Sequence, residues 1–242
     1  MSNIKLNIEN LTSLWQKASE PFNAYFKEPQ FDYSFIKHSD WPNRLWFDQE
    51  ITEEIVSSAK EKIVSISKKM IIPYWDIYNN DSCEILKRKG FHVKFEQIGM
   101  SLKREQLFES LNNVHLKKVT TEQEAKLWSI LFFNSFGYNL HSGISNSLQK
   151  NTDFYIAYHL HEAIGTGILY TTNGISGVHA VGIIPEHRRK GYAAEIMKML
   201  INQSIKMKSK LITLQSSNMG KGLYLKLGFE EQFVMKNYAL SQ

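Results

Sequence analysis

Two segments of this chain repeat one another. Leu86-Lys87-Arg88-Lys89-Gly90-Phe91 leaves a short helical pattern and enters a strand, and Tyr224-Leu225-Lys226-Leu227-Gly228-Phe229 does the same 138 residues later. The elements around them recur in one order. In the first half, residues 52–69 place Ile55, Val56, Ala59, Ile63 and Ile66 along one side of a helix. Residues 70–72 then read as a strand, 81–89 as a short helix and 91–102 as a strand. In the second half a helix from about 191 to 208 is followed by a strand at 211–215, a short helix at 220–227 and a strand at 229–240. A diverged internal duplication accounts for the shared order. Its boundary is expected in the polar stretch 103–113, giving domains at 1–108 and 109–242.

The second half carries further elements upstream. Residues 114–119 form a strand candidate, and Thr121 with Glu124 three residues later is a capping box for the next helix. That helix bears Leu127, Trp128, Leu131 and Phe132 at helical spacing and stops at Gly137. Strands follow at 154–159, 164–171 and 175–184, the last two joined through Asn173-Gly174, a strong hairpin signal. The expected class is therefore mixed α/β, with a central, mostly antiparallel sheet flanked by helices in each half. With 43% hydrophobic and 22% charged residues, the chain has the composition of a folded globular protein rather than a disordered one. Its apolar runs are too short for a membrane span, and its N-terminus shows no secretion signal. The single cysteine, Cys83, forms no internal disulfide and suits a reducing compartment, so a cytoplasmic location is expected.

The net charge of +5 is concentrated. Residues 186–210 hold seven Lys and Arg against Glu186 and Glu195. Such an excess suits a polyanion or a phosphorylated ligand, or is simply a solvated helix face. The choice turns on whether the stretch contains a backbone feature shaped for phosphate. It does: a strand ends at Val181-Gly182-Ile183-Ile184, the chain turns through Pro185-Glu186-His187-Arg188-Arg189-Lys190, and a helix opens with Gly191-Tyr192-Ala193-Ala194. Free amides and the positive end of the helix dipole make an anion site, and small residues let a pyrophosphate approach.

Arg188-Arg189-Lys190-Gly191-Tyr192-Ala193 resembles the acetyl-CoA-binding motif of the GNAT superfamily of N-acetyltransferases, Gln/Arg-x-x-Gly-x-Gly/Ala, at every defined position. The stretch from Leu214 to Phe229 resembles the closing signature of that family: a strand, a short helix with Leu-Tyr, then Leu-Gly-Phe. The resemblance covers roughly residues 115–240. It implies tandem GNAT-like domains with acetyl-CoA as co-substrate and no metal. It places the pantetheine arm against the main chain of Val181, Gly182 and Ile183. The pyrophosphate falls on the loop from Arg188 through Arg189, Lys190, Gly191, Tyr192, Ala193 and Ala194. Ser217 and Gly220 join the cofactor site; Ser217 stands where many members have Asn, and Asn218 is one residue late. Tyr224 takes the role of the acid that protonates the departing CoA thiolate, a role its phenol suits chemically.

The base is less directly given. Some relatives keep a glutamate on the strand before the loop, at a place that falls near Gly177 here. His179, two residues on, titrates in a suitable range, and strand alternation would put it on the face of Gly177 and Val181. Glu162 and Glu186 are further candidates. In the first half, the turn equivalent to the phosphate loop has no glycine and carries Asp48, Glu50, Glu53 and Glu54, while Leu86 replaces the tyrosine. That half is expected to bind no acetyl-CoA. Trp41, Trp46, Tyr74, Trp75 and Tyr78, with Phe136 and Tyr138, are candidates to line a substrate cleft.

Three functions compete on this reading. The first is an acetyl-CoA-dependent N-acetyltransferase acting directly on a primary amine of a small molecule or peptide. The second is a non-catalytic acetyl-CoA-binding module. Nucleic-acid binding through residues 186–210 is the third; only Tyr192 interleaves an aromatic with the basic residues, and CoA phosphates account for the charge. Acetyl-CoA and an unidentified amine are therefore the expected partners, with no nucleic acid and no membrane.

Overall fold

The repeated signature turns the chain the same way twice, with φ of 89° at Gly90 and 91° at Gly228. A computed structural model describes residues 2–77, 81–109, 113–147 and 151–241. The first half contains α1 (Asn3–Ser19), β1 (Tyr25–Lys27), β2 (Asp32–Ser34), β3 (Arg44–Trp46), α2 (Glu53–Ile66), β4 (Ile71–Trp75), α3 (Ser82–Arg88) and β5 (Phe91–Leu102). The second contains β6 (Val114–Lys118), α4 (Glu122–Phe136), α5 (Gly143–Ser147), β7 (Thr152–His159), β8 (Glu162–Thr172), β9 (Ile175–Ile183), α6 (Tyr192–Lys206), β10 (Leu211–Ser216), α7 (Lys221–Lys226) and β11 (Glu230–Leu240). The duplicated elements keep their offset: α2 and α6, β4 and β10, α3 and α7, β5 and β11 all correspond.

The eleven strands form one sheet in the order β1-β2-β3-β4-β11-β5-β10-β9-β8-β7-β6. The two halves thus exchange their last strands. β11 lies between β4 and β5, and β5 lies between β11 and β10. Their antiparallel pairing runs from Phe91↔Leu240 to Ser101↔Glu230, so each copy meets its equivalent about a local pseudo-twofold axis. All pairings are antiparallel except β3–β4 and β9–β10, the same place in each copy.

Three cores sit on this sheet. On one face of the second half, α6 and α7 cover Leu169, Val178, Ile212 and Leu214. In the first half, Val56, Ala59 and Ile63 of α2 and Leu86 of α3 pack against Ile72 and Tyr238. The third core is common to both halves. There α1 supplies Leu11, Leu14, Trp15 and Ala18, which join Trp46 and Trp75 of the first half to Trp128, Phe132 and Phe154 of the second. Burial of each large α1 side chain is worth on the order of 1.5–3 kcal/mol.

Thr121 and Glu124 form the expected capping box on α4, and Asn173 and Gly174 take positive φ in the β8–β9 turn. The sequence reading left α1, β1 and β2 unassigned. Ser2 caps α1 by accepting from the Lys5 amide, and Ile4, Ile8, Leu11 and Trp15 repeat at helical spacing behind it.

Because the exchanged strands complete each other's sheet, residues 1–108 and 109–242 expressed separately should lack cooperative thermal unfolding, while co-expression restores it. A sharp, reversible transition for 109–242 alone would contradict the exchange as a folding requirement.

Candidate active site

The second half opens between β9 and β10. Their parallel pairing covers Leu211↔Ile175, Ile212↔Ser176 and Thr213↔Gly177, after which the strands splay and leave the end of β9 without a partner on that side. The splay belongs to a cleft of about 2100 Å³ lined by both halves of the chain. Val181, Gly182, Ile183, Arg188, Arg189, Gly191, Tyr192, Ala193, Ala194, Ser217, Gly220 and Tyr224 all line it. Lys190 is exposed beside them.

The loop before α6 is built to hold an anion. Gly191 is the N-cap at φ 84° and offers no side-chain cap, so the helix start is left to its own amides. Among the described residues, the amides of Arg189 to Ala193 have no main-chain acceptor. A Cβ at Gly191 would meet nothing within 4 Å, so the need for glycine there is the backbone angle rather than space. Arg189 also has positive φ, 62°. Arg188 plays a bracing part: its Nε donates to Ile183 O at 3.0 Å and its terminal nitrogen to Ser135 O at 2.9 Å, tying the loop to β9 and α4. Ser217 Oγ accepts from the Gly220 amide at 3.2 Å, which shapes the turn into α7.

Tyr224 faces the cleft from α7, with Phe229 edge-on at 6.0 Å. Desolvation pushes its phenol up to about 12, so it stays protonated through the physiological range.

His179 is half-buried in the cleft wall. Desolvation pulls its pKa down to about 4, a side-chain hydrogen bond with Gln215 opposing the shift, and the imidazole is neutral at pH 7. Its expected neighbours need correction. A bulge at Ala180, φ 52°, interrupts the β8–β9 register between Thr166 and Ile168. The Thr166 hydroxyl donates to Ala180 O at 2.8 Å and holds it there. Alternation is therefore reset. His179 shares the α1 face with Gly177, whereas Val181 packs on the α6 side.

Gly177 is glycine because α1 occupies the space a side chain would need. A Cβ there would overlap both Asn10 Oδ1 and His179 Nε2. Asn10 Oδ1 lies 3.4 Å from His179 Nε2, and its amide nitrogen faces Tyr170 O and Ile175 O, each at 3.4 Å. One turn earlier, Asn7 donates to Met100 O at 3.1 Å and to Gln232 Oε1 at 2.7 Å, and accepts from Gln215 Nε2 at 2.7 Å. Two fully buried asparagines of the first half thus anchor α1 across the exchanged strands and reach the wall of the site. The sequence reading missed both. The available signal was a polar pair at i, i+3 inside an apolar stripe.

The other candidates distribute as follows. Glu162 Oε1 lies 3.1 Å from His187 Nε2, at the far side of the loop, and Glu186 is exposed. Trp41, Phe136 and Tyr138 line the cleft. Trp46 and Trp75 are core residues around Trp15, and Tyr74 is buried with α2 and α3 on the opposite face. Tyr78 lies outside the described residues.

The splayed parallel strand pair thus faces a helix start whose amides are free to bind an anion. Residues 150–231 match the sequence family described as acetyltransferase (GNAT) domain. The chain carries a GNAT acetyltransferase domain in its second half and has a tandem GNAT-like fold. It is similar to a GCN5-related N-acetyltransferase from Kribbella flavida, with 13% identity over 96% of this chain and 95% of that one at a TM-score of 0.72. A GCN5-related N-acetyltransferase from Sphaerobacter thermophilus gives 10% identity, 86% and 75% coverage and a TM-score of 0.66. A tandem GNAT protein from the clavulanic acid biosynthesis pathway gives 10% identity, 98% and 95% coverage and a TM-score of 0.58. No significant match is found among curated proteins. Among the described residues no helix is long and apolar enough to cross a membrane, and no cluster of His, Cys, Asp and Glu could hold a metal ion.

Gly177→Ala should destabilise the fold by about 1–3 kcal/mol through overpacking against Asn10. Combining it with Asn10→Ala should recover part of that loss. Strictly additive effects in denaturant melts of the double variant would show that the two residues do not share this space.

Proposed function

We propose that this chain transfers an acetyl group from acetyl-CoA directly to a primary amine of a small molecule or peptide. The observation that carries the reading is the splay of β9 from β10 beside an uncapped α6, with Tyr224 and His179 facing the opening. The GNAT domain and fold support acetyl-CoA-dependent acetyl transfer in general; the residue roles are inferred here. The free amides from Arg189 to Ala193 receive the pyrophosphate, with Ala194 bordering it, Arg189 and Lys190 adding charge and Arg188 fixing the loop. Main-chain groups of Val181 to Ile183 lie along the pantetheine path, and Ser217 and Gly220 border it.

Bound acetyl-CoA supplies an activated thioester carbonyl. The incoming nitrogen attacks as a free amine and becomes acidic as it forms the new C–N bond. His179, neutral and hydrogen-bonded from α1, accepts that proton directly or through water. Tyr224 donates its proton to the sulfur as the C–S bond breaks. A purely cofactor-binding module would have no use for a protonated phenol at this point in the cleft, which favours the catalytic reading.

The first half is proposed to hold no cofactor. Its equivalent splay, beyond the Arg44↔Ile71 pair, is packed with Trp46 and Trp75 around Trp15 at 5.5 and 6.3 Å, and acidic residues occupy its loop. The domain division at 108/109 is accordingly a division of ancestry and task, laid over a shared sheet.

Calorimetric titration should give one acetyl-CoA site per chain, and Gly191→Val should weaken it by at least about tenfold by forcing a branched residue into the left-handed region. Two sites, or none, would remove this assignment.

Tyr224→Phe should lower kcat by about a hundredfold or more with acetyl-CoA affinity retained. Unchanged kcat would exclude the phenol as the acid. The His179 limb of the pH–rate profile should fall near pH 4, below the ordinary histidine value of 6.5. Its folded pKa is depressed, so between about 6.5 and 4 the unfolded chain binds the proton first. Stability should drop as pH falls through that window, and His179→Gln should flatten the drop in thermal melts.

A further inference from the structure

Arg44 begins β3 and pairs with Ile71 of β4, at the last paired position before the two strands separate. It lies over the Trp15 ring, its guanidinium carbon 5.2 Å from the centroid. Nε is sealed from water and has no acceptor. Among the described residues no carboxylate forms an ion pair with it. Burial pulls its pKa below the ordinary value, opposed by the neighbouring Tyr138 phenol. A sealed, unpartnered Nε is costly to a fold, and an anion held by the guanidinium would offset that cost.

The surroundings fit an anion. Arg44 lines the same cleft as Trp41, Tyr138, His179 and Tyr224. That cleft is faced by seven Lys and Arg side chains and by two carboxylates, Asp40 and Glu96. Asp40 is engaged elsewhere, accepting from the Asn139 amide at 2.8 Å. With the loop cations near α6 assigned to the pyrophosphate, the half-buried Arg44 is the least exposed of the cleft's remaining cations, Lys37, Lys68, Lys69 and Lys94 being exposed.

We propose that Arg44 receives a carboxylate of the acyl acceptor, so that the acceptor is an amine that also bears a carboxylate. The proposal rests on the acetyltransferase reading and names its substrate class. Helix α1 sets the scale. Asn10 touches His179 and Trp15 carries Arg44, and five residues of helix rise by about 7–8 Å. The acceptor class put to the test is accordingly an extended molecule with amine and carboxylate at opposite ends, as in an ω-amino acid.

The test compares ε-aminocaproate with n-hexylamine, and L-lysine with cadaverine, pairs that differ by the carboxylate. Each is titrated calorimetrically into the CoA-saturated chain and assayed for acetyl transfer, using wild type and Arg44→Met. The wild type should bind and acetylate the carboxylate-bearing member at least about tenfold better, as a charge-assisted pair requires. Arg44→Met should erase the preference through KM, leave acetyl-CoA affinity unchanged, and keep or raise Tm, because an unpaired buried charge has been removed. Equal binding of both members, or a preference that survives Arg44→Met, overturns the proposal. So does a fall in acetyl-CoA affinity, which would give Arg44 to the CoA phosphates, or a fall in Tm with the preference intact, which would make it structural. A wild-type chain that does not bind acetyl-CoA overturns the acetyltransferase reading and this proposal together. That case is recognised from the cofactor titration before any amine is added.

Discussion

The antiparallel pair β5–β11 is the constraint on which the rest of this structure depends. Each strand belongs by sequence to one half and is hydrogen-bonded on both sides to strands of the other. It closes the gap between the strands that precede and follow it in the other copy. Because the pair is related by a pseudo-twofold, a single β-pairing surface is satisfied twice, and neither half presents a free edge there. Met100 and Tyr238 of the exchanged strands are both fully buried. The separation of β9 from β10 follows from the same arrangement, since β10 is held on its other side by β5 of the first half.

Helix α1 converts that architecture into a site. An apolar helix would have covered the sheet equally well, yet Asn7 and Asn10 are fully buried. Their value lies in direction: amide groups placed over the sheet satisfy Met100 O and reach Gln215, Gln232 and His179, so helix position and site geometry are set together. Gly177 is the matching concession on β9. Where some relatives project a glutamate from the strand, this chain withdraws the side chain and brings an amide in from another element.

Much of this was legible in the sequence. The repeated Gly-Phe signature, the capping box at Thr121, the Asn-Gly turn and the loop before α6 are local devices, each specified by residues within one or two turns of chain. What could not be read was non-local. Strand alternation cannot say which copy β5 or β11 will pair with, because the two copies offer similar edges. The bulge at Ala180 carries no glycine to announce it and is held by Thr166 of the neighbouring strand, so alternation gave His179 and Val181 one face when they occupy two. The stripe of α1 was diluted by Asn7 and Asn10, the residues that make it functionally important. Tyr74, Trp46 and Trp75 looked like cleft residues from composition alone; only packing separates them from Trp41 and Tyr138.

Duplication explains why the first half could change so far. Beyond the Arg44↔Ile71 pair, the space between the strands is filled by Trp15, Trp46 and Trp75. Closing it with aromatic rings made a rigid wall beside the retained site, since those rings share a core with Trp128 and Phe132 of the second half. A charged residue buried in such a wall is held in one orientation by stacking rather than by an ion pair, which leaves its hydrogen-bonding edge available. Arg44 over Trp15 meets that description. The filling of the first half's splay and the placing of a cation over Trp15 are thus two features of one aromatic cluster.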